Sequence, residues 1–186
     1  MARITLPNHI RQMPSLEAED IDLAPGVRVS QRKPNRLDLD GINRVIESAT
    51  NTWSLPERLK RISLPLYRYY QDDVEHMQFL IAETKDSRIV GLAALEEVEA
   101  TECPEGHSAW LLHGLYVNPS HHGYGIGIRL VESAEVITSA NGFDGLLVKA
   151  QVDAQSFFEN RGFTRLPVEN CSRDYAYRYW KSICQG

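Results

Sequence analysis

The stretch from Leu111 to Leu130 constrains this chain more than any other. It reads as an apolar strand, a stop at Asn118-Pro119, a loop with Gly123, Gly125 and Gly127, and the first turn of an amphipathic helix. Proline offers no ladder N–H and pushes its predecessor towards extended geometry, so the strand ends there. Glycines at a helix start leave amides accessible, and the positive end of the helix dipole points the same way. That combination is an anion site, most often a phosphate site. The loop does not fit a dinucleotide fingerprint. Five residues separate strand from first glycine, and Ile128 stands where the third glycine would fall. It lacks the Gly-Lys-Ser/Thr of a Walker loop as well.

Around this stretch the pattern predicts one α/β domain. Val27–Arg32 alternates as a strand, and Asp38 is placed to cap a helix with Leu39, Ile42, Val45, Ile46 and Ala49 on one side. A second helix is expected from Ser54, with Glu57 completing a capping box. Its buried side is expected to carry Leu55, Leu59 and Ile62, with Arg58, Lys60 and Arg61 outward, and Pro65 is expected to kink or end it. Residues 76–84 and 89–99 read as a hairpin, 108–117 as the strand before the loop, and 126–140 as the long helix. A short apolar strand at 146–150 follows. Then come a helix capped by Asp153 and two strands, 163–166 and 175–180, giving the order βααβββαβαββ. Residues 1–25 are acidic and follow no period. They read as an N-terminal arm, and the domain proper spans 26–186.

Composition excludes several classes. A net charge of −5 does not suit a nucleic-acid binder, which leads with basic patches. No run approaches the ~18 apolar residues of a membrane span, and the first thirteen residues show no signal-peptide core. The three cysteines, Cys103, Cys171 and Cys184, are widely spaced and read as free thiols of a cytoplasmic protein. Cys103 and His107 form no second ligand pair, and His121-His122 is a loop pair, so no metal site is expected. A homodimer is left open.

Taken together, three segments resemble the GNAT superfamily of acetyl-CoA-dependent N-acetyltransferases. They are Leu-Tyr-Val-Asn-Pro at 115–119, His-Gly-Tyr-Gly-Ile-Gly at 122–127, and Asp-Ala-Gln-Ser-Phe-Phe-Glu-Asn-Arg-Gly-Phe at 153–163. The resemblance implies a GNAT fold from about residue 27 on, with a mixed central sheet splayed at the cofactor site and flanked by helices. It implies acetyl-CoA as cosubstrate and a primary amine, on a small molecule or peptide, as acceptor. Backbone groups of Leu115, Tyr116 and Val117 would meet the pantetheine arm and acetyl carbonyl. Those of Gly123, Tyr124, Gly125, Ile126, Gly127 and Ile128 would cradle the pyrophosphate, and Gln151 would stand in for a cofactor-contacting asparagine. His122 replaces the family's usual Gln or Arg. Phe158 stands where many members carry a proton-donating tyrosine, and Leu146 where one branch has a glutamate base.

A base is needed because the amine arrives protonated. His113, on the strand two residues before Leu115, is the first candidate, since imidazole titrates near ~6.5. Arylalkylamine acetyltransferases carry a catalytic histidine at the matching place. Glu96, Glu97 and Glu99 on the preceding strand compete, with Glu97 taken as their representative. Tyr175, Tyr177 and Tyr179 compete for the missing acid. Two rivals remain: a CoA-binding regulatory domain of the same fold, which Phe158 favours, and a nucleotide-binding oxidoreductase.

Overall fold

Among the described residues, alternating apolar residues flanked by Pro, Gly and Asn produce seven strands, and helical apolar spacing produces five helices between them. The computed structural model describes residues 26–170, 172 and 174–183; the arm at 1–25, Cys171 and Cys184 lie outside the described residues. The order is β1 (Val27–Gln31), α1 (Arg36–Asn51), α2 (Glu57–Tyr67), α3 (Gln71–His76), β2 (Gln78–Thr84), β3 (Ile89–Glu97), β4 (Ala109–Val117), α4 (Ile126–Ala140), β5 (Gly145–Lys149), α5 (Gln155–Glu159), β6 (Thr164–Arg165) and β7 (Arg178–Ser182). Apart from α3, this is the order expected from the sequence. Residues 71–76 coil because the Asp73 carboxylate accepts the Tyr70 amide at 2.6 Å and starts a turn there.

The sheet runs β1-β2-β3-β4-β5-β7-β6. Every neighbouring pair is antiparallel except β4 and β5, which are parallel. One face packs on α4, through Leu112, Ala93 and Leu95 against Ile126, Leu130, Val131, Ala134 and Ile137. The other packs on α1, through Phe79, Ile81, Leu92 and Tyr116 against Ile42, Val45, Ile46 and Ala49. The sheet is therefore the middle layer of three.

Helix starts depart from expectation in instructive ways. Asn35, directly after Pro34, is the cap of α1: its side chain accepts from the amides of Leu37 and Asp38. Asp38 sits at the third helical position and reaches back to the Asn35 amide at 2.7 Å. Helix α2 begins behind Pro56 without a side-chain cap, and Pro65 does not stop it before Tyr67. Ser54 and Asp153, each expected to cap its own helix, instead meet each other. The Ser54 amide donates to the Asp153 carboxylate at 2.8 Å, fastening the α1–α2 link to the segment after β5.

The burial of α2 is also reversed. Its buried residue is Lys60, while Leu59 and Ile62 are exposed. The reason is the end of α1. The Lys60 ammonium donates to the Asn51 carbonyl at 2.8 Å, satisfying a terminal carbonyl that has no intrahelical partner, and to Glu57 at 2.9 Å. The same helical face carries Leu64 and Tyr67, which pack on the α1 core, so Leu59, Ile62 and Leu66 turn out.

Candidate active site

Strands β4 and β5 pair from Ala109↔Gly145 to Leu112↔Val148 and no further. Beyond that point β4 stays with β3 as far as Val117, and Lys149 of β5 pairs with β7. The two strands therefore part, and β4 loses its neighbour on one edge over residues 113–117. A cavity of about 460 Å³ opens in the split, lined on one side by His113 to Tyr116 and on the other by Val148 to Gln151.

The glycine loop closes one end of this split. Gly125 is the residue before α4 and has φ of +77°, a left-handed conformation in which side chains are strained. The first bond of α4 runs from the Arg129 amide to the Gly125 carbonyl. Among the described residues, the amides from Gly123 to Ile128 find no acceptor, as expected of a helix start. Ile126 buries its side chain in the core beneath α4, so only its backbone is available here. Tyr124 is exposed. His122 lines the cavity and holds the loop, its Nε2–H donating to the Val117 carbonyl at 3.0 Å.

Leu115 and Val117 turn towards the α4 core, whereas Tyr116 turns the other way and stacks beside Trp53, with centroids 6.4 Å apart. Burial, with Tyr67 nearby, raises the Tyr116 hydroxyl well above the usual phenol range, so it keeps its proton. Gln151 lies across the split, where its amide donates to the Tyr67 hydroxyl at 3.3 Å.

His113 owes its position to an irregularity that the strand pattern did not reveal. The β3–β4 register passes from Ala94↔Gly114 to Leu95↔Leu112, leaving His113 as the extra residue of a bulge. Bulges re-aim side chains, and this one is aimed by a second residue. Tyr69 Oη lies 3.0 Å from His113 Nδ1. Tyr69 itself is fixed by two hydrogen bonds between its backbone and the Asn43 side chain, at 2.9 and 3.0 Å. Its hydroxyl fits because residue 114 is glycine: an added Cβ would collide with Tyr69 Oη and lie 2.7 Å from the Tyr116 ring. The Tyr69 phenol is raised by burial first, then by Tyr116, Glu96 and Asp73. In the sequence, Tyr67, Tyr69 and Tyr70 read as core or rim aromatics, some of them walling an acceptor pocket, and not as partners of His113; Asn43 carries no signal there, and Gly114 beside His113 is the available one.

His113 Nε2 faces Glu96, at 3.9 Å from Oε1. Glu97 does not share this arrangement. It pairs with Trp110, which packs in the core under α4, so it leaves the sheet on the face opposite Glu96. The alternation of a strand puts only one of two adjacent glutamates on a given face. Glu99 is exposed beyond the strand.

Phe158 lines the cavity as a buried ring, edge-on to Phe157 and Phe163. Tyr179, considered for the acid, is also buried, and its one O–H is directed at Glu159 at 2.9 Å, with the Gln155 side-chain oxygen at 3.1 Å. The phenols that line the cavity are those of Tyr67 and Tyr116. Cys103 is a free, half-buried thiol whose acidity is lowered by burial, then by Glu102 and Asp144. Among the described residues, no three metal-ligating side chains cluster and no helix is long and apolar enough to cross a membrane.

Known proteins give this geometry a context. Residues 75–165 match the family described as acetyltransferase (GNAT) domain. No curated protein matches the sequence. Among solved structures, a PaiA N-acetyltransferase from Thermoplasma acidophilum in complex with coenzyme A superposes with a TM-score of 0.65 at 18% identity, covering 83% of this chain and 99% of that one. A GNAT family acetyltransferase from Brucella melitensis in complex with acetyl-CoA gives 0.58 at 19% identity, over 84% and 89%. A GNAT family acetyltransferase from Staphylococcus aureus Mu50 gives 0.62 at 16% identity, over 84% and 100%. At these identities the likeness is one of fold, and it agrees with the family match on the segment that holds the split strands and the glycine loop. Residues 75–165 are thus matched to a GNAT acetyltransferase domain, and the fold of the chain is that of GNAT acetyltransferases.

Proposed function

We propose that this chain transfers an acetyl group from acetyl-CoA to a primary amine by direct attack in a ternary complex. The observation that carries the reading is the meeting of the β4–β5 split with the unpaired amides before α4. A pantetheine arm bears amides that pair with a strand edge lacking its neighbour, and a pyrophosphate suits a helix N-terminus. Solved relatives that hold coenzyme A or acetyl-CoA support the same cosubstrate. Leu115 to Val117 then flank the thioester, and the strand's free N–H groups stabilise charge developing on its carbonyl oxygen.

His113 takes the proton of the incoming ammonium at Nε2, with Nδ1–H donated to Tyr69 Oη. Glu96, 3.9 Å away, stabilises the imidazolium that results. The amine nitrogen attacks the acetyl carbon, the C–S bond breaks, the sulfur leaves with the electron pair, and the nitrogen releases its second proton to solvent as the amide forms. Phe158 holds no proton to give, so the thiolate is protonated by water or by a phenol of the cavity wall.

Thiol release from acetyl-CoA over an amine panel tests this function. His113→Ala should lower kcat/KM by ~10²–10⁴-fold, the usual contribution of a base, while acetyl-CoA affinity stays within twofold. Unchanged kcat/KM and pH profile would make His113 structural. The buried phenylalanine at 158 favours one rival, a CoA-binding domain without turnover. Tight acetyl-CoA binding with no thiol release from any amine would establish that rival.

A further inference from the structure

The reversed helix α2 leaves an apolar track that leads into the cavity. Leu59, Ile62 and Leu66 are 49%, 58% and 78% exposed. Spaced by three and four residues, they lie on one face of the helix, over a length of about 10 Å. Leu66 at the end of this track also lines the cavity. Across the mouth, Val152 is 58% exposed between the cavity-lining Gln151 and Asp153. Inside, Trp53 meets Tyr67 edge-on at 5.2 Å and stacks beside Tyr116, so the inner wall is aromatic. Exposed apolar surface continuous with a site marks a ligand groove.

Charge at the cavity points the same way. Among the described residues, Asp153 is the one carboxylate that lines it, and that carboxylate already accepts the Ser54 amide. Lys149, also lining, is held by Glu102 at 2.6 Å. A polyamine or aminosugar would bring several ammonium groups to a wall whose one lining carboxylate is engaged with Ser54, leaving only Glu96 beside His113 to receive them, and an α-amino acid would need a free cation for its carboxylate.

We propose that the acceptor is a monoamine carried on an apolar body, and that this body lies along Leu66, Ile62 and Leu59. The proposal rests on the acetyl-transfer reading above. The amine nitrogen enters past Trp53 and Tyr67 towards His113, while the apolar body covers the track that α2 leaves open.

A series of n-alkylamines from ethylamine to octylamine, with spermidine, an aminoglycoside and glycine for contrast, tests it on the full chain with acetyl-CoA. Each added methylene should raise kcat/KM about threefold, through KM, until the track is covered. Spermidine, the aminoglycoside and glycine should be slower than octylamine by tenfold or more. Ile62→Asp, at an exposed position, should cost octylamine at least tenfold and the shorter amines progressively less. No dependence on chain length, or a preference for spermidine, would overturn the proposal. So would an Ile62→Asp variant that sediments as a monomer beside a dimeric parent with unaltered kinetics, because the track would then join two copies. Calorimetric titration of CoA-loaded protein with the same amines reads the track without turnover. Affinity that rises with length while no thiol is released keeps the track and discards the transfer reading; affinity independent of length discards the track.

Discussion

The loop before α4 and helix α2 both border the cavity, through His122 and through Leu66 and Tyr67, and the two helices treat their apolar residues in opposite ways. Helix α4 buries Ile126, Leu130, Val131, Ala134 and Ile137, and at its start beside the split it leaves only backbone amides open. Helix α2 buries a lysine and turns Leu59, Ile62 and Leu66 to solvent. The first arrangement suits a ligand recognised by amides and a helix dipole, which any side chain would obstruct. The second suits a ligand recognised by apolar contact. One wall of the cavity is thus built from main chain and the other from side chains. On the reading above, a constant cosubstrate meets the former and a chosen acceptor the latter.

That contrast can be broken at Gly114, where the side-chain wall leans on the backbone of β4. Gly114→Ala would drive a methyl into the Tyr69 hydroxyl and the Tyr116 ring. Overpacking of this kind costs about 1–3 kcal/mol, readable by urea denaturation. Displacing Tyr69 from His113 should lower kcat by tenfold or more, while acetyl-CoA affinity changes little. An equal loss in both would mean the two walls are not separable.

Lys60 sharpens the comparison, since it shares the inward face of α2 with Leu64 and Tyr67. Lys60→Met removes the ammonium from the Asn51 carbonyl and should cost about 1–2 kcal/mol in chemical denaturation. An equally stable Lys60→Met protein would mean that the cation does not fix the helix's orientation.

A smaller effect belongs to the start of α1, the end of that helix away from Thr52 and Trp53 at the cavity. The Arg32 guanidinium, through a bidentate contact, holds the Asp38 carboxyl below its usual range against the opposing effect of burial. A depressed carboxyl contributes stability above its unfolded value, ~3.9, and that contribution is lost as pH falls through the lower folded value. Asp38→Asn should therefore cost up to about 1 kcal/mol near neutrality and nothing once the carboxyl is protonated in both states. A cost that persists unchanged in strong acid would assign it to the helix cap alone.

The two walls were also unequally legible in the sequence. Gly123, Gly125 and Gly127 after Asn118-Pro119 are visible locally as a turn that leaves the amides before a helix open. Strand order, the hairpin and the long helix follow from local periodicity. The acceptor wall depends on contacts between distant residues. Nothing local to α2 shows that Lys60 will serve the end of α1, so helical spacing chose the wrong face. The bulge that aims His113 is set by the β3–β4 register, and the partner of Asp153 lies 99 positions away at Ser54. Between Glu96 and Glu97, parity along the strand decides, and parity is fixed by that register.

Calorimetric titration of acetyl-CoA into Gly125→Val, beside the parent protein, tests most directly where the cosubstrate lies. Valine at a φ of +77° is strained and places a side chain where amides must approach the pyrophosphate. The account predicts at least a tenfold weaker affinity, about 1.4 kcal/mol, in a variant that retains its fold by circular dichroism. Unchanged affinity in the folded variant would contradict it and move the phosphate away from the glycine loop.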